Sequence, residues 1–371
     1  MADVFKIADI IVENAKAKYA DDISIIAYYG SYAAGTATVT SDMDFFFIPR
    51  TREAHKASIQ FILDRIGFDF WPISWERAGK IASFDTELVS VIAESRVLYS
   101  RSDDELARFN GLREKIALLC KPENRTVMIG KAVDNIGKCY IHLYNMKECI
   151  MKNDPISCRF EALKVTKSVM FSLALLNQTY FSTGWGKSMN EVLSLPLKPK
   201  NLKELLDGIT LSADCIQIMK ICDKLVSSTK SLILTEQKNT RQDVTYSSIF
   251  NGYFEEVKSS FNKIISACDH GDQDTAIYTA HQVQHELSSF LKLSETGINS
   301  TNLNIYADFN QSYHNFNFPD LFTAFTSGGL DGLKMAVIEL EEKMRRMLIN
   351  KEVHLNEFRD TSEFEHFLHE R

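Results

Sequence analysis

Apolar residues at Val4, Ile7, Ile11, Ala15 and Tyr19 recur near the helical period, and their spacing predicts a helix over 3–19 that Asp21-Asp22 ends. The next run, Ile23–Tyr29 (ISIIAYY), is short, β-branched and aromatic, the composition of a buried strand. It stops at Gly30-Ser31. A polar turn carrying Gly35 follows, and Asp44–Pro49 (DFFFIP) reads as a second strand closed by its proline. Residues 52–66 (REAHKASIQFILDRI) suit a helix that Gly67 ends, and 68–73 (FDFWPI) alternates around Asp69 as a third strand, with Pro72 placing its end at a sheet edge. Helix, strand, turn, strand, helix, strand describes a small mixed-sheet domain over 1–110.

Beyond residue 110 the pattern is helical throughout. A one-faced stripe of Ile129, Val133, Ile136, Tyr140 and Leu143 predicts a helix over 127–151. Asp154-Pro155 supplies an N-cap with proline at the first helical position, opening a helix through Leu176 whose VMFSLALL stretch predicts burial on all sides. Further helices are expected at 202–209, 212–234, 247–268, 272–293 and 328–351, with LPLKP as a connector at 195–199. The polar stretch 235–243 (TEQKNTRQD) reads as a boundary or exposed loop, and the Asn-rich 299–317 as an irregular loop. The fold class is therefore α+β: a small mixed-sheet domain followed by a larger all-α helical-bundle region over 111–371, with a further division expected near 235–243.

Composition changes this picture in a few places. A length of 371 residues exceeds what one core usually holds, and 45% hydrophobic against 25% charged residues excludes wholesale disorder. Only 7 prolines and 16 glycines argue against a turn-rich sandwich or barrel. The formal net charge of −7 disfavours nucleic acid as the partner, because phosphate neutralisation normally calls for a basic surface. The 7 cysteines are odd in number and form no C-x-x-C, so buried free thiols in a reducing compartment are expected. The first residues lack the basic start, apolar core and cleavage site of a signal peptide, and no apolar run reaches the roughly 20 residues of a membrane span. The expectation is a soluble, cytoplasmic protein with no membrane partner.

The candidate chemistry lies in 27–49, AYYGSYAAGTATVTSDMDFFFIP. Residues i and i+2 of a strand point to one side, so Asp42 and Asp44 face together while Met43 faces away. Two such carboxylates repel unless a cation lies between them, and Mg²⁺ completed by substrate phosphates is the ordinary solution. Gly30 lets the backbone approach a triphosphate, and the Ser31 hydroxyl and nearby N–H groups can donate to it.

These residues resemble the signature of the DNA polymerase β-type nucleotidyltransferase superfamily. The motif reads Tyr29-Gly30-Ser31, a gap, then Asp42-Met43-Asp44-Phe45. The resemblance implies an NTP, ATP first, bound with Mg²⁺ (two ions) at Gly30, Ser31, Asp42 and Asp44, and a nucleotidyl group passed to an acceptor. It also implies a third carboxylate on the later strand, where Asp69 stands as metal ligand or general base; pairing with Arg65 or Arg77 is the plainer alternative, and Glu76 and Glu87 are held in reserve. Many members carry Arg where Ala34 stands, so one phosphate contact is missing.

Farther on, SLALLNQTYFSTGWGKSMNEVL and LPLKPKNLKELLDGI are similar to the helical C-terminal domain of kanamycin-type antibiotic nucleotidyltransferases. That domain walls the acceptor site and can supply the base, a role open to Glu161 or Asp134, either of which is more ordinarily a surface carboxylate. The resemblance also allows a homodimer. His281 and His285 share a helix face but lack the glutamate between them that a zincin has, and Arg359 with His366 only faintly matches a ribonuclease motif. The expected activity is transfer of a nucleoside monophosphate, AMP first, to a hydroxyl of a small acceptor such as an aminoglycoside-like antibiotic. The alternative is a toxin–antitoxin or regulatory transferase acting on a protein or RNA.

Overall fold

The computed structural model describes residues 4–38, 41–184 and 188–370. Residue 3, where the expected first helix begins, and 185–187, inside the segment similar to the kanamycin-type domain, lie outside the described residues. Helix α1 (Val4–Tyr19) leads into strands β1 (Ile23–Tyr29) and β2 (Asp44–Pro49), which sit where the alternation placed them. They belong to a five-stranded sheet with β3 (Ile59–Leu63), β4 (Ile66–Pro72) and β5 (Arg96–Ser100), in the order β3-β4-β2-β1-β5. The β2–β4 pair is parallel and the other neighbours are antiparallel. One face of the sheet buries Ile26, Phe45, Phe47 and Phe70 against Val4, Ile7, Ala8, Val12 and Ala15 of α1. The other takes α2 (Trp75–Ala82), α3 (Val89–Ala93) and α4 (Asp103–Leu119), with Phe109 of α4 meeting Phe46 at 6.2 Å.

The helix expected over 52–66 is not there. Only a 3-10 turn, Glu53–Ala57, forms, and Ile59–Leu63 becomes the edge strand of a hairpin with β4. Phe61 stacks on Phe68 across the pair at 5.1 Å, and Asp64 and Arg65 make the two-residue turn at φ +48° and +67°. Asp-Arg is not a recognised hairpin pair, so the turn gave no signal and a short apolar run was open to either period. Gly67 lies inside β4 rather than ending a helix, and Pro72 ends an inner strand rather than an edge one.

The helical region begins with α4, and the single helix expected over 127–151 is two, α5 (Arg125–Gly137) and α6 (Cys139–Met151), meeting at Lys138. Helix α7 (Pro155–Leu176) opens as expected: Asp154 caps it through Ser157 N–H at 3.0 Å, and its second half is buried. Asn135 of α5 donates to Ser168 O (2.8 Å) and Ser172 Oγ (3.0 Å) of α7, fixing the two helices in register. After α8 (Met189–Ser194) and α9 (Leu202–Leu211), α10 (Cys215–Asn239) extends into the polar stretch expected to be loop.

The chain divides into two compact units, Met1–Glu236 and Gln237–Arg371. The division expected at 110/111 falls inside the first unit, and the break lies within 235–243. The second unit holds α11 (Tyr246–Phe250), α12 (Tyr253–Asp269), α13 (Gln273–Thr296), α14 (Asn310–Asn315), α15 (Leu321–Asn350) and α16 (Thr361–Glu370). Its core gathers Phe254, Phe261, Leu287, Leu291, Val337 and Leu340 from α12, α13 and α15. The stretch 299–317, expected to be irregular, carries a 3-10 turn at Tyr306–Asp308 and α14. Helix α15 breaks at Gly329 (φ +63°), next to the start expected at 328. Among the described residues no helix is long and apolar enough to cross a membrane, and all seven cysteines are free.

Candidate active site

Strand β1 delivers the chain into Gly30, whose φ of +77° is a left-handed conformation. A Cβ there would also lie 2.6 Å from Asp44 Oδ2, so any other residue would strain the turn and displace that carboxylate. Ala34 N–H to Gly30 O (3.1 Å) and Thr36 N–H to Ser31 O (2.9 Å) close the turn, with Gly35 at φ +70°. Leading into β2, which begins at Asp44 rather than at Asp42, the burial alternates as the spacing required: Met43 is fully buried, Asp42 is exposed and Asp44 half-buried. Strand pairing sets Tyr29 opposite Asp44, Phe45 opposite Phe70 and Gln60 opposite Asp69.

Burial first, then the charges of Asp42 and Asp69, push the Asp44 carboxyl up to about 6. Burial and Asp44 likewise push the Tyr29 phenol up to about 12, while Trp71 Nε1 donates to its oxygen at 3.3 Å. This is a concentration of negative charge with no basic side chain among its causes.

A cavity of about 370 Å³ opens at this point. Gly30, Ser31, Asp42 and Asp44 line it from the sheet, and Glu87, Ser90 and Glu94 from the segment around α3. Lys167, Met170 and Phe171 of α7 form another wall, joined by Phe181, Ser182 and Thr183. Glu191 holds that last segment, accepting from Ser182 N–H (2.8 Å), Thr183 N–H (3.0 Å) and the Thr183 hydroxyl.

The structure thus brings together Gly30, Ser31, Asp42 and Asp44 but not every residue expected with them. Asp69 does not line the cavity; its Oδ1 accepts from Gln60 Nε2 at 2.6 Å, and it reaches Asp44 only through its charge. Glu161 is not in the lining either. It is buried between α6 and α7, with Oε2 2.7 Å from His142 Nδ1 and Oε1 accepting from Lys164 Nζ at 2.7 Å, so its carboxylate is engaged by these two helices away from the cavity. Asp134 is exposed, and Glu76 pairs with Lys80 at 2.7 Å. Glu87, held in reserve, does line the cavity. Sequence reasoning missed Lys167 and Glu94. The former was findable, because 167, 170 and 171 share one helix face.

No group of three or more His, Cys, Asp or Glu among the described residues is arranged to hold a metal alone. Two same-side carboxylates, one of them raised by burial and by the charges beside it, nevertheless fit a hard cation that takes its remaining ligands from phosphate and water, which is how Mg²⁺ is ordinarily bound. Asp42 and Asp44 are the residues that would hold it.

The KNTase C-terminal domain family matches residues 106–240. A candidate protein adenylyltransferase of Methanocaldococcus jannaschii is 30% identical over 106 residues, 26% of this chain and 72% of that protein. This chain belongs to the nucleotidyltransferases. A crystal structure of a nucleotidyltransferase-like protein from Exiguobacterium sibiricum aligns over 72% of this chain and 92% of its own, at 10% identity and a TM-score of 0.37, too low to add to the argument. In this nucleotidyltransferase the family match spans α7, so the Lys167 wall of the cavity lies within the KNTase-like part.

In the second unit a groove of about 660 Å³ is lined by His281, His285, Tyr306 and Phe322. His281 stacks on Phe322 at 5.2 Å and His285 meets Phe309 edge-on at 5.1 Å, so these imidazoles pack against aromatic rings.

Proposed function

We propose that this enzyme transfers a nucleoside monophosphate, AMP first, from a Mg²⁺-bound NTP to a hydroxyl group. The observation that carries the reading is a glycine turn set against a half-buried carboxylate in one cavity: a Gly30 Cβ would lie 2.6 Å from Asp44 Oδ2, and both residues line the cavity. Ser31 and the turn's N–H groups meet the triphosphate from one side, and Lys167 offers it a cation from α7. Asp42 and Asp44 would hold Mg²⁺, two ions, which when bound would neutralise charge on the triphosphate. Met170, Phe171 and Phe181 exclude water along one wall. The new bond joins the acceptor oxygen to the α-phosphorus, and pyrophosphate leaves.

For the acceptor, Glu87 and Glu94 make the far lining acidic, which suits a cationic hydroxyl-bearing small molecule of aminoglycoside type and accords with the KNTase match. A protein hydroxyl is the second reading, favoured by the name of the Methanocaldococcus relative. Incubation with Mg²⁺, α-labelled NTPs, aminoglycosides and candidate polypeptides tests both. Labelled small molecule supports the first and labelled polypeptide the second. Pyrophosphate release unchanged in Asp42→Asn and Asp44→Asn would sink the chemistry itself.

A further inference from the structure

A hydroxyl acceptor must lose a proton, and neither Asp69 nor Glu161 lines the cavity to receive it. Glu94 does, and it is firmly held. It is the C-cap of α3, with its N–H bonded to Ser90 O at 2.9 Å. The next residue, Ser95, is buried and donates its hydroxyl to Ile92 O at 3.1 Å. Arg113, 4.8 Å over the Phe109 ring, donates from Nε to Ile92 O (3.2 Å) and from Nη2 to Ser95 O, clamping the backbone on both sides of Glu94.

The side chain is aimed as well. Tyr180 OH, on the segment after α7, donates to Glu94 Oε1 at 2.7 Å. Burial, and Glu94 itself, push the Tyr180 phenol up, so it remains a donor wherever Glu94 is ionised. A fixed donor on Oε1 sets the carboxylate plane and directs Oε2 elsewhere, the arrangement of a base oriented by a third group.

We infer that Glu94 is the general base of the transfer and Tyr180 its positioning residue. Both roles rest on the nucleotidyl-transfer reading of the cavity. The acceptor's hydroxyl proton passes to Glu94 as its oxygen bonds to the α-phosphorus. The bond from that phosphorus to the bridging oxygen breaks, and pyrophosphate leaves with the electron pair.

The test is pyrophosphate release from Mg²⁺–ATP by the full chain as a function of pH, with water, with kanamycin A and with candidate polypeptides as acceptors, beside calorimetric Mg²⁺–ATP binding. Glu94→Gln is expected to lower the rate about 10²–10⁴-fold and abolish the fall towards low pH, with ATP binding retained. Glu94→Asp should keep that fall at a reduced rate. Tyr180→Phe, which removes the donor to Oε1, should lower kcat while leaving the KM for Mg²⁺–ATP unchanged. Wild-type turnover in Glu94→Gln, loss of its ATP binding, or a Tyr180→Phe kcat equal to that of the wild type would overturn the assignment. A wild-type chain that binds ATP but releases no pyrophosphate with water, with kanamycin A or with candidate polypeptides brings down the transfer reading itself, a different failure.

Discussion

Asp44 lies where strand pairing, burial and like charge converge, and its raised carboxyl has a consequence for stability. A folded-state value of about 6 against an ordinary 3.8 means that the folded protein holds this proton more tightly than the unfolded chain. The contribution is fully present below the unfolded value and is lost as pH rises through about 6, so the metal-free protein weakens across that window. Asp44→Asn should remove the weakening and raise Tm above pH 6, where Mg²⁺ should raise the wild-type Tm and leave that of the variant almost unchanged. Thermal melts with and without Mg²⁺ check this; an equal Mg²⁺ shift in both proteins would contradict it. At Gly30, an alanine meets both a left-handed φ of +77° and the 2.6 Å approach to Asp44. Gly30→Ala is expected to cost about 1–2 kcal/mol in stability. The displaced carboxylate should cost far more in turnover, about 100-fold in kcat/KM, measured by steady-state kinetics beside denaturant unfolding.

At the scale of elements, β1, β2, α1 and α7 were legible because each combined one clear period with an end signal: Gly30 after β1, Pro49 on β2, Asp154-Pro155 before α7. The β3–β4 hairpin was not, since its turn is Asp64-Arg65 and its apolar run fits two periods. The strand half of the cavity was readable because the i, i+2 spacing predicts Asp42 and Asp44 on one side, and both line the cavity although only Asp44 lies on β2. Glu94, Tyr180 and Lys167 come from three separate segments, and their meeting depends on packing that no local spacing records. Helix α7 links the two halves. Lys167→Ala is expected to weaken Mg²⁺–ATP binding about 10–100-fold, the worth of a hydrogen bond to a charged group, and titration calorimetry measures it. Unchanged affinity would remove α7 from the nucleotide site.

At the scale of the molecule, the cavity and the candidate metal carboxylates fall within Met1–Glu236, and the KNTase match ends just past that unit, at residue 240. A chain ending after Thr240, which keeps α10 and the matched domain whole, is therefore expected to unfold cooperatively and bind Mg²⁺–ATP as the full chain does. Circular dichroism melts and calorimetry test this, and a chain that fails to fold would show that the second unit is needed for the first. The net charge of −7 suits a cationic acceptor, so added salt should raise the KM of such an acceptor more than that of ATP.

The most direct test is pyrophosphate release from α-labelled ATP and Mg²⁺ in the presence of acceptor, in the wild type and in Asp44→Asn. The expected result is metal-dependent release matched by label on a hydroxyl acceptor, reduced at least 100-fold by the substitution, as for loss of a group that stabilises charge in the transition state. Release that is indifferent to Asp44, or that persists after chelation of Mg²⁺, would contradict it.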